Sequence, residues 1–333
     1  MSWQNIITKA EVQSDLKQIK YIKNIIYTLL ICVICITTFA SCNTVPADDG
    51  KTSVVTTNFP AYDFARAICQ DSANVTMLLP VGGESHSYEP TPQDILKIQN
   101  ADLFIYTGGE SDVWVDKILN SLDNDVNTLK MTDCVSLLPV GGEITEEHEH
   151  TQEDEHDYEH DEHVWTSPVN AAEIVMQIKD KLCLIDSTNK DSYDKNAAAY
   201  IDEILKLDSD FRAFFKTVQN KILVFGDRFP LIYFTTEYGI SYVSAFPGCA
   251  DHSEPSAATI ADLIEKIKKE NISTIYYIEF SNQNIANTLA DSANARTALF
   301  YTCHNISKEQ FDSGVTYISL MRENLVTLQN TMK

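Results

Sequence analysis

Residues 192–218 read SYDKNAAAYIDEILKLDSDFRAFFKTV, the longest run of helical periodicity in the chain. Tyr193, Ala197, Tyr200, Ile201, Ile204, Leu205, Phe211, Phe214 and Phe215 recur three and four residues apart, and no Gly or Pro interrupts them. This spacing lines apolar side chains along one face of a single long helix. Short β-rich runs alternate with helical ones on both sides of it. Upstream, strands are expected at Ser53–Asn58, Val75–Leu79, Leu103–Thr107 and Asn127–Met131. Helices are expected at Tyr62–Ile68, Pro92–Asn100, Val113–Leu122 and Val169–Leu184. Downstream, the strands are Ile222–Phe225, Tyr242–Ala245, Thr274–Ile278 and Ala298–Thr302. The helices there are Leu231–Tyr238, Ala257–Glu270, Asn284–Ala290 and Thr316–Leu328. Repeated βα alternation predicts parallel sheets covered by helices. Two such units joined by one long helix predict an α/β fold of two lobes facing each other across a cleft.

The N-terminal region points out of the cytoplasm. Lys17, Lys20 and Lys23 precede an apolar run from Ile25 to Phe39, and Phe39-Ala40-Ser41-Cys42 follows. A basic flank, a short apolar run and small residues before a cysteine read as a lipoprotein signal, with Cys42 the lipidated residue. A membrane-spanning anchor is the competing reading, but the run is shorter than the roughly 20 residues a span needs. Residues 1–41 are thus expected to be a signal peptide and 42–51 a flexible tether. The N-terminal lobe then covers 52–186, the linking helix 187–218 and the C-terminal lobe 219–333. The expected location is extracytoplasmic, on a bacterial membrane.

Charge excludes one class of partner. The chain has 25 basic and 48 acidic side chains, so nucleic acid, whose phosphates need a basic face, is not expected. Acid concentrates in GEITEEHEHTQEDEHDYEHDEHVW, Gly142–Trp165, which also holds five of the eight histidines and no Lys or Arg. A charge run of this kind is usually a solvated linker. Dense imidazole tips the reading towards divalent metal, zinc above all, because carboxylate alone would favour calcium or magnesium. His148, His150, His156 and His160, within the loop 143–162, read as a weak auxiliary metal site. Of the cysteines beyond Cys42, Cys249 and Cys303 fall in loops near the expected cleft and are the suggested disulfide, although connectivity is not legible from spacing.

Ligands of parallel sheets bind beyond the C-terminal strand ends, and five donors fall there. His86 follows Val75–Leu79 in GGESHSYEPTP, and His163 ends the acidic loop. Asp227 follows strand ILVF, Glu279 follows TIYYI, and His304 lies two residues past ALFYT. A lone loop histidine is ordinarily a surface residue, but several at strand ends shift the reading to a metal site. His252 reads as a surface residue, Trp114 and Trp165 as packing residues, and Tyr88 as lining the cleft mouth.

Four segments carry a resemblance: GGESHSYEPTPQD (82–94), DEHVWTSPVNA (161–171), the linking helix, and IYYIEFSN (275–282). Over residues 52–333 the chain resembles the zinc- and manganese-binding solute-binding lipoproteins of ABC uptake transporters, whose two lobes are joined by one rigid helix. The resemblance implies that His86 and His163 are the first two metal ligands. It further implies an ABC permease as partner, attachment to the membrane through a lipid, and a monomeric receptor. Two departures stand out. The family usually places a His or Glu after the first strand of the second lobe, where this chain has FGDRFPLIYF. It usually places an acid after the last strand, where this chain has Thr302-Cys303-His304-Asn305. The two changes look compensatory, so the expected set is His86, His163, His304 and Asp227. Glu279 is the substitute fourth ligand, its other role being to hold a ligating imidazole. Water, or Cys303 as a thiolate, are further candidates for that place. Three imidazoles and one carboxylate favour Zn2+ over Mn2+. No HExxH, nucleophile elbow or phosphate loop occurs in the sequence, so the expected function is a non-enzymatic zinc receptor. The alternatives are a manganese receptor of the same fold, a zinc-storage or adhesion lipoprotein, and a zinc hydrolase.

Overall fold

The computed structural model describes residues 23–24, 50–122, 125–140, 160–246 and 255–332. The expected lipidation site Cys42, together with His148, His150, His156, Cys249 and His252, lies outside them. Among the described residues no helix is long and apolar enough to cross a membrane. From Lys51 onward the described residues form one compact unit.

Among the described residues, eight strands build two four-stranded sheets. β1 (Thr52–Thr56), β2 (Ala73–Met77), β3 (Leu103–Tyr106) and β4 (Thr128–Lys130) lie in the order β2-β1-β3-β4. β5 (Ile222–Phe225), β6 (Ser241–Ser244), β7 (Thr274–Tyr277) and β8 (Arg296–Leu299) repeat that order as β6-β5-β7-β8. Every pairing is parallel, with Val54 opposite both Val75 and Leu103 in the first sheet and Ile275 opposite Thr297 in the second. Both central strands run apolar and buried, VVT in β1 and LVF in β5, as strands covered on both faces must.

The helices in chain order are α1 (Phe59–Cys69), α2 (Pro92–Gln99), α3 (Val113–Leu119), α4 (Pro168–Ile185), α5 (Lys190–Phe215), α6 (Ile232–Tyr238), α7 (Ala257–Lys269), α8 (Asn284–Ala293), α9 (Lys308–Asp312) and α10 (Tyr317–Thr331). Their starts obey capping chemistry. Thr91 and Asp94 form a reciprocal capping box with Pro92 in the first turn of α2, and Ser167 caps α4 ahead of Pro168. The short α9 was not anticipated, although Ser307 and Gln310 carry the same box spacing. Gly226, just past β5, permits close packing of strand and helix: a Cβ there would lie 2.3 Å from Cα of Ala286 in α8.

α5 is the expected long helix, 26 residues without a break, and it packs against α4, α1 and α10. Tyr193, Ala197, Ile204, Leu207, Phe211 and Phe215 form its buried stripe. Through it one apolar cluster runs continuously from Val54, Leu103 and Ile105 in the first sheet to Leu223, Phe225 and Tyr276 in the second. The two sheets therefore share a core, which explains why residues 51–333 make one unit. A buried polar knot fastens it: Asp63 in α1 accepts from Nε of Arg66 at 2.7 Å, from N of Tyr317 in α10 at 2.8 Å and from the Tyr200 hydroxyl in α5.

Most strand boundaries fall within two residues of expectation, and β8 departs most instructively. The apolar run ALFYT was read as the strand, yet β8 ends at Leu299. Phe300 is fully buried and still bonds Tyr277 O through its N–H at 2.9 Å. Burial thus continues past the strand, while Tyr301–His304 turn towards the cleft.

Candidate metal centre

His86 sits in the loop after β2, which is held down from the other lobe. Asn305 Nδ2 donates to Pro80 O at 2.8 Å and to Gly83 O at 2.9 Å, and Gly82 N donates to Ile306 O at 2.9 Å. Only glycine fits at 83, where a Cβ would meet Pro80 O at 2.8 Å. His163 precedes a 310 turn (Val164–Thr166) that leads into α4. Its segment is pinned by Asp161 N to Leu138 O at 2.9 Å and by the Tyr233 hydroxyl to Asp161 O at 2.7 Å. His304 follows β8 across Cys303, whose φ of 65° lies in the left-handed region. That unusual conformation, costly for a residue with a Cβ, reverses the chain between Thr302 and His304.

The three imidazoles converge. Each offers one nitrogen, and these atoms all lie within 4.8 Å of one another. Ring centroids of His163 and His304 are 4.5 Å apart, and those of His86 stand 5.8 and 5.7 Å from them. Trp165, fully buried, stands edge-on to both His163 and His304 at 5.4 and 5.1 Å and donates Nε1–H to Thr302 O at 2.9 Å. It packs, as expected of it, but what it packs against is the histidine cluster.

Each Nδ1 leads to a carboxylate. His163 Nδ1 meets Asp161 Oδ1 directly at 2.9 Å. His304 Nδ1 meets Thr302 Oγ1 at 2.7 Å, and that hydroxyl donates to Glu279 Oε1 at 2.6 Å. His86 Nδ1 meets Ser111 Oγ at 3.1 Å, and Ser111 donates its hydroxyl proton to Glu162 Oε1 and its N–H to Oε2 at 2.9 Å. A hydroxyl that gives its proton to a carboxylate can only accept from the imidazole, so Nδ1 carries the ring proton. The lone pair is then on Nε2, the atom left for a metal. Nε2 of His304 is buried and makes no hydrogen bond, a costly arrangement unless another group completes it.

Electrostatics keep the His304 ring neutral. Burial foremost, then the neighbouring His163 and His86 and the Arg228 guanidinium, push the His304 imidazole well below its ordinary value. Burial raises the carboxyls of Glu279 and Glu162, against the hydrogen bonds from Thr302 and from Ser111 respectively. Behind Ser111, burial lifts Asp112 to about 7, although it accepts from N of Gly108 and Thr107.

Neither residue expected as a fourth ligand lies in the histidine cluster. Among the described residues the cluster contains the three histidines alone. Asp227 caps backbone instead, accepting from Arg228 N at 2.9 Å and Ile278 N at 3.4 Å. Glu279 accepts from Thr302 N at 2.8 Å, from the Thr302 hydroxyl and from His304 N at 3.2 Å, the supporting role that was its alternative. The suggested Cys249–Cys303 disulfide falls partly on a residue outside those described; Cys303 itself is a free thiol, fully buried, its pKa driven up by that burial. His160 is exposed and bridges to Pro139, away from the trio. Tyr88 stands edge-on to Trp114, and its hydroxyl donates to Asp94 Oδ2 at 3.1 Å. Glu162, Ser111 and Thr302 were missed. Glu162 adjoins His163 in sequence and was read as part of the solvated run, yet it is 4% exposed.

A two-lobed α/β framework carries an imidazole trio at its facing strand ends, a donor set that could hold a metal ion. The chain belongs to the family described as zinc-uptake complex component A, periplasmic, which matches residues 54–331. It is 37% identical over 305 residues to the zinc-binding lipoprotein AdcA of Streptococcus pneumoniae, covering 91% of this chain and 60% of AdcA. It is 35% identical to the high-affinity zinc uptake system protein ZnuA of Bacillus subtilis, covering 85% and 88% respectively. The crystal structure of the Zn(II)-bound ZnuA-like domain of S. pneumoniae AdcA superposes with a TM-score of 0.71 at 36% identity, over 85% of this chain and 99% of that one. The chain thus spans about 60% of the length of its AdcA relatives. The family is that of a transport component, not of an enzyme class.

Proposed function

We propose that this protein is an extracytoplasmic zinc receptor that captures one Zn2+ between its lobes and passes it to an ABC permease. The observation that carries the reading is the convergence of His86 and His163 with His304, drawn from opposite lobes, each with Nδ1 backed by a carboxylate. Three imidazole nitrogens suit a borderline metal such as zinc better than manganese, which favours oxygen. The neutral ring of His304 binds the ion without first losing a proton. Burying the ion between lobes strengthens every donor–metal contact by excluding water. Parting the lobes separates His86 and His163 from His304 and so dismantles the site, which suits a receptor that must let go.

The same proposal includes attachment through a lipid on Cys42, with residues 42–51 as tether, and a monomeric receptor. Its domains are the lobes 52–186 and 219–333 with 187–218 between them. The loop 143–162 would collect zinc weakly at the cleft mouth through His148, His150, His156 and His160. The test is a zinc titration against a chromophoric chelator, with 143–159 removed, beside the His304→Ala form. The expected result is one tight site that weakens by about tenfold or more in the variant. Binding that disappears with the loop, or ignores the loss of His304, would overturn the cleft assignment.

A further inference from the structure

Trp165 touches two of the three imidazoles and ties together the segments that carry them. It lies two residues beyond His163 in the 310 turn Val164–Thr166, which is closed by the Thr166 N–H and hydroxyl on His163 O at 3.1 and 2.8 Å. Its indole reaches into the second lobe, where Nε1–H donates to Thr302 O at 2.9 Å. Thr302 is the residue on which the His304 ring rests: its hydroxyl meets His304 Nδ1 at 2.7 Å, and its N–H and hydroxyl both donate to Glu279. The indole therefore fixes His163 through the chain and His304 through Thr302. It stands edge-on to both rings, at interplanar angles of 69° and 88°. Trp165 is anchored in turn. Its carbonyl accepts from the Tyr317 hydroxyl at 2.8 Å, and Tyr317 N donates to Asp63 Oδ2 at 2.8 Å in the buried knot of α1, α5 and α10. Both Trp165 and Tyr317 are buried.

We infer that Trp165 is a positioning residue that sets the His163 and His304 imidazoles for a shared metal ion, with Tyr317 as its anchor. This rests on the zinc-receptor reading. Zinc takes imidazole nitrogens at about 2.0–2.1 Å in a near-tetrahedral array, so two rings from different segments must agree in both spacing and tilt. These two stand 4.5 Å apart by centroid and 69° by plane. An indole in edge contact with each ring limits the rotation of both. Its hydrogen bond to Thr302 O fixes the distance between the two backbones. Every one of these contacts joins protein atoms, so the arrangement is organised in advance and the ion does not have to supply the ordering free energy. A buried tryptophan ordinarily finds some partner for its N–H. Here the partner is the carbonyl of the residue that orients a candidate ligand.

Core filling and positioning predict different outcomes. Trp165→Phe keeps an aromatic ring at the site and removes the Nε1–H bond, while Tyr317→Phe removes only a hydroxyl and alters neither imidazole. Both are made in the full chain and titrated with Zn2+ against a chromophoric chelator, and with Co2+ for its visible absorption. Melting of the metal-free protein is measured alongside. Trp165→Phe is expected to weaken zinc binding by about tenfold or more, the usual loss for an outer partner of a metal ligand. Tyr317→Phe should weaken it by about threefold, as for one neutral hydrogen bond. The Co2+ bands report ligand geometry and should shift in Trp165→Phe. Zinc affinity within about twofold of the parent overturns the inference, however early the metal-free variant melts. Weaker binding with parental Co2+ bands overturns it too, since stability and not ligand geometry has then changed. Should Trp165→Phe not fold, Tyr317→Phe decides alone by the same two readouts. His304→Ala, run in parallel, separates the two levels: if it binds as tightly as the parent protein, the site reading itself fails.

Discussion

Thr302→Val tests whether the carboxylate relay behind His304 sets metal affinity. Valine matches threonine in shape, so the change deletes one hydroxyl from a residue 1% exposed and little else. That hydroxyl donates to Glu279 Oε1 at 2.6 Å and accepts from His304 Nδ1 at 2.7 Å. Without it the Nδ1–H is a buried donor with no partner, a cost of about 1–3 kcal/mol. Glu279 keeps its two backbone donors, Thr302 N and His304 N, and so does not become an unpaired buried charge. For a domain of this size each kcal/mol lowers the melting midpoint by about 2–4 °C, so the metal-free variant should melt several degrees early. The released ring no longer holds its orientation, and loss of such an outer partner ordinarily costs about 10–100-fold in metal affinity. Chelator competition gives the affinity, and thermal melting with and without zinc gives both states. Thr302→Ser, which keeps the hydroxyl, should restore most of the affinity. A valine variant that binds zinc within about twofold of the parent would refute the relay.

Three further outcomes are expected. Asp227→Asn should leave zinc affinity within about twofold, because the amide oxygen can still accept from Arg228 N and only the long 3.4 Å bond from Ile278 N is lost; a loss typical of a ligand, about tenfold or more, would return Asp227 to the metal. Native protein treated with iodoacetamide should leave Cys303 unmodified, and denaturation without reductant should expose it to full alkylation. A Cys303 that reacts only after reduction would show that it is paired. Gly226→Ala should destabilise the second lobe by about 1–3 kcal/mol, the usual cost of overpacking, since the new methyl would lie 2.3 Å from Ala286 Cα. A melting point equal to the parent's would show that α8 can withdraw.

Much of this architecture is local information, and local information survives in sequence. The linking helix announced itself through nine apolar residues at helical spacing, because its partners along α4, α1 and α10 require one continuous face. The inner strands β1, β3, β5 and β7 were legible because parallel strands buried on both faces are short, largely apolar runs. Strand ends were less so: in ALFYT the apolar signal reports burial, and Phe300 stays buried after the ladder has ended at Leu299. His86, His163 and His304 could be selected because the strand-end rule converts sequence position into spatial position without any contact being known.

What surrounds them could not be selected that way. Ser111, Glu162 and Thr302 act through hydrogen bonds spanning 23–51 positions in the chain, and nothing in a hydroxyl or an acid reveals which distant imidazole it faces. Glu162 shows the difficulty most plainly, being identical in type to its neighbours in the acidic run and distinguished from them only by burial. Asp227 and Glu279 were equally plausible as ligands at strand ends. Which carboxylate turns to backbone and which to a hydroxyl depends on where β7 and the Thr302–His304 turn come to rest. The chain alone therefore determined the elements, their parallel pairing and the three imidazoles. Only tertiary packing decided the proton on each ring, the support behind it and the Trp165 hydrogen bond to Thr302 across the lobes, because those depend on distances between residues that share no local pattern.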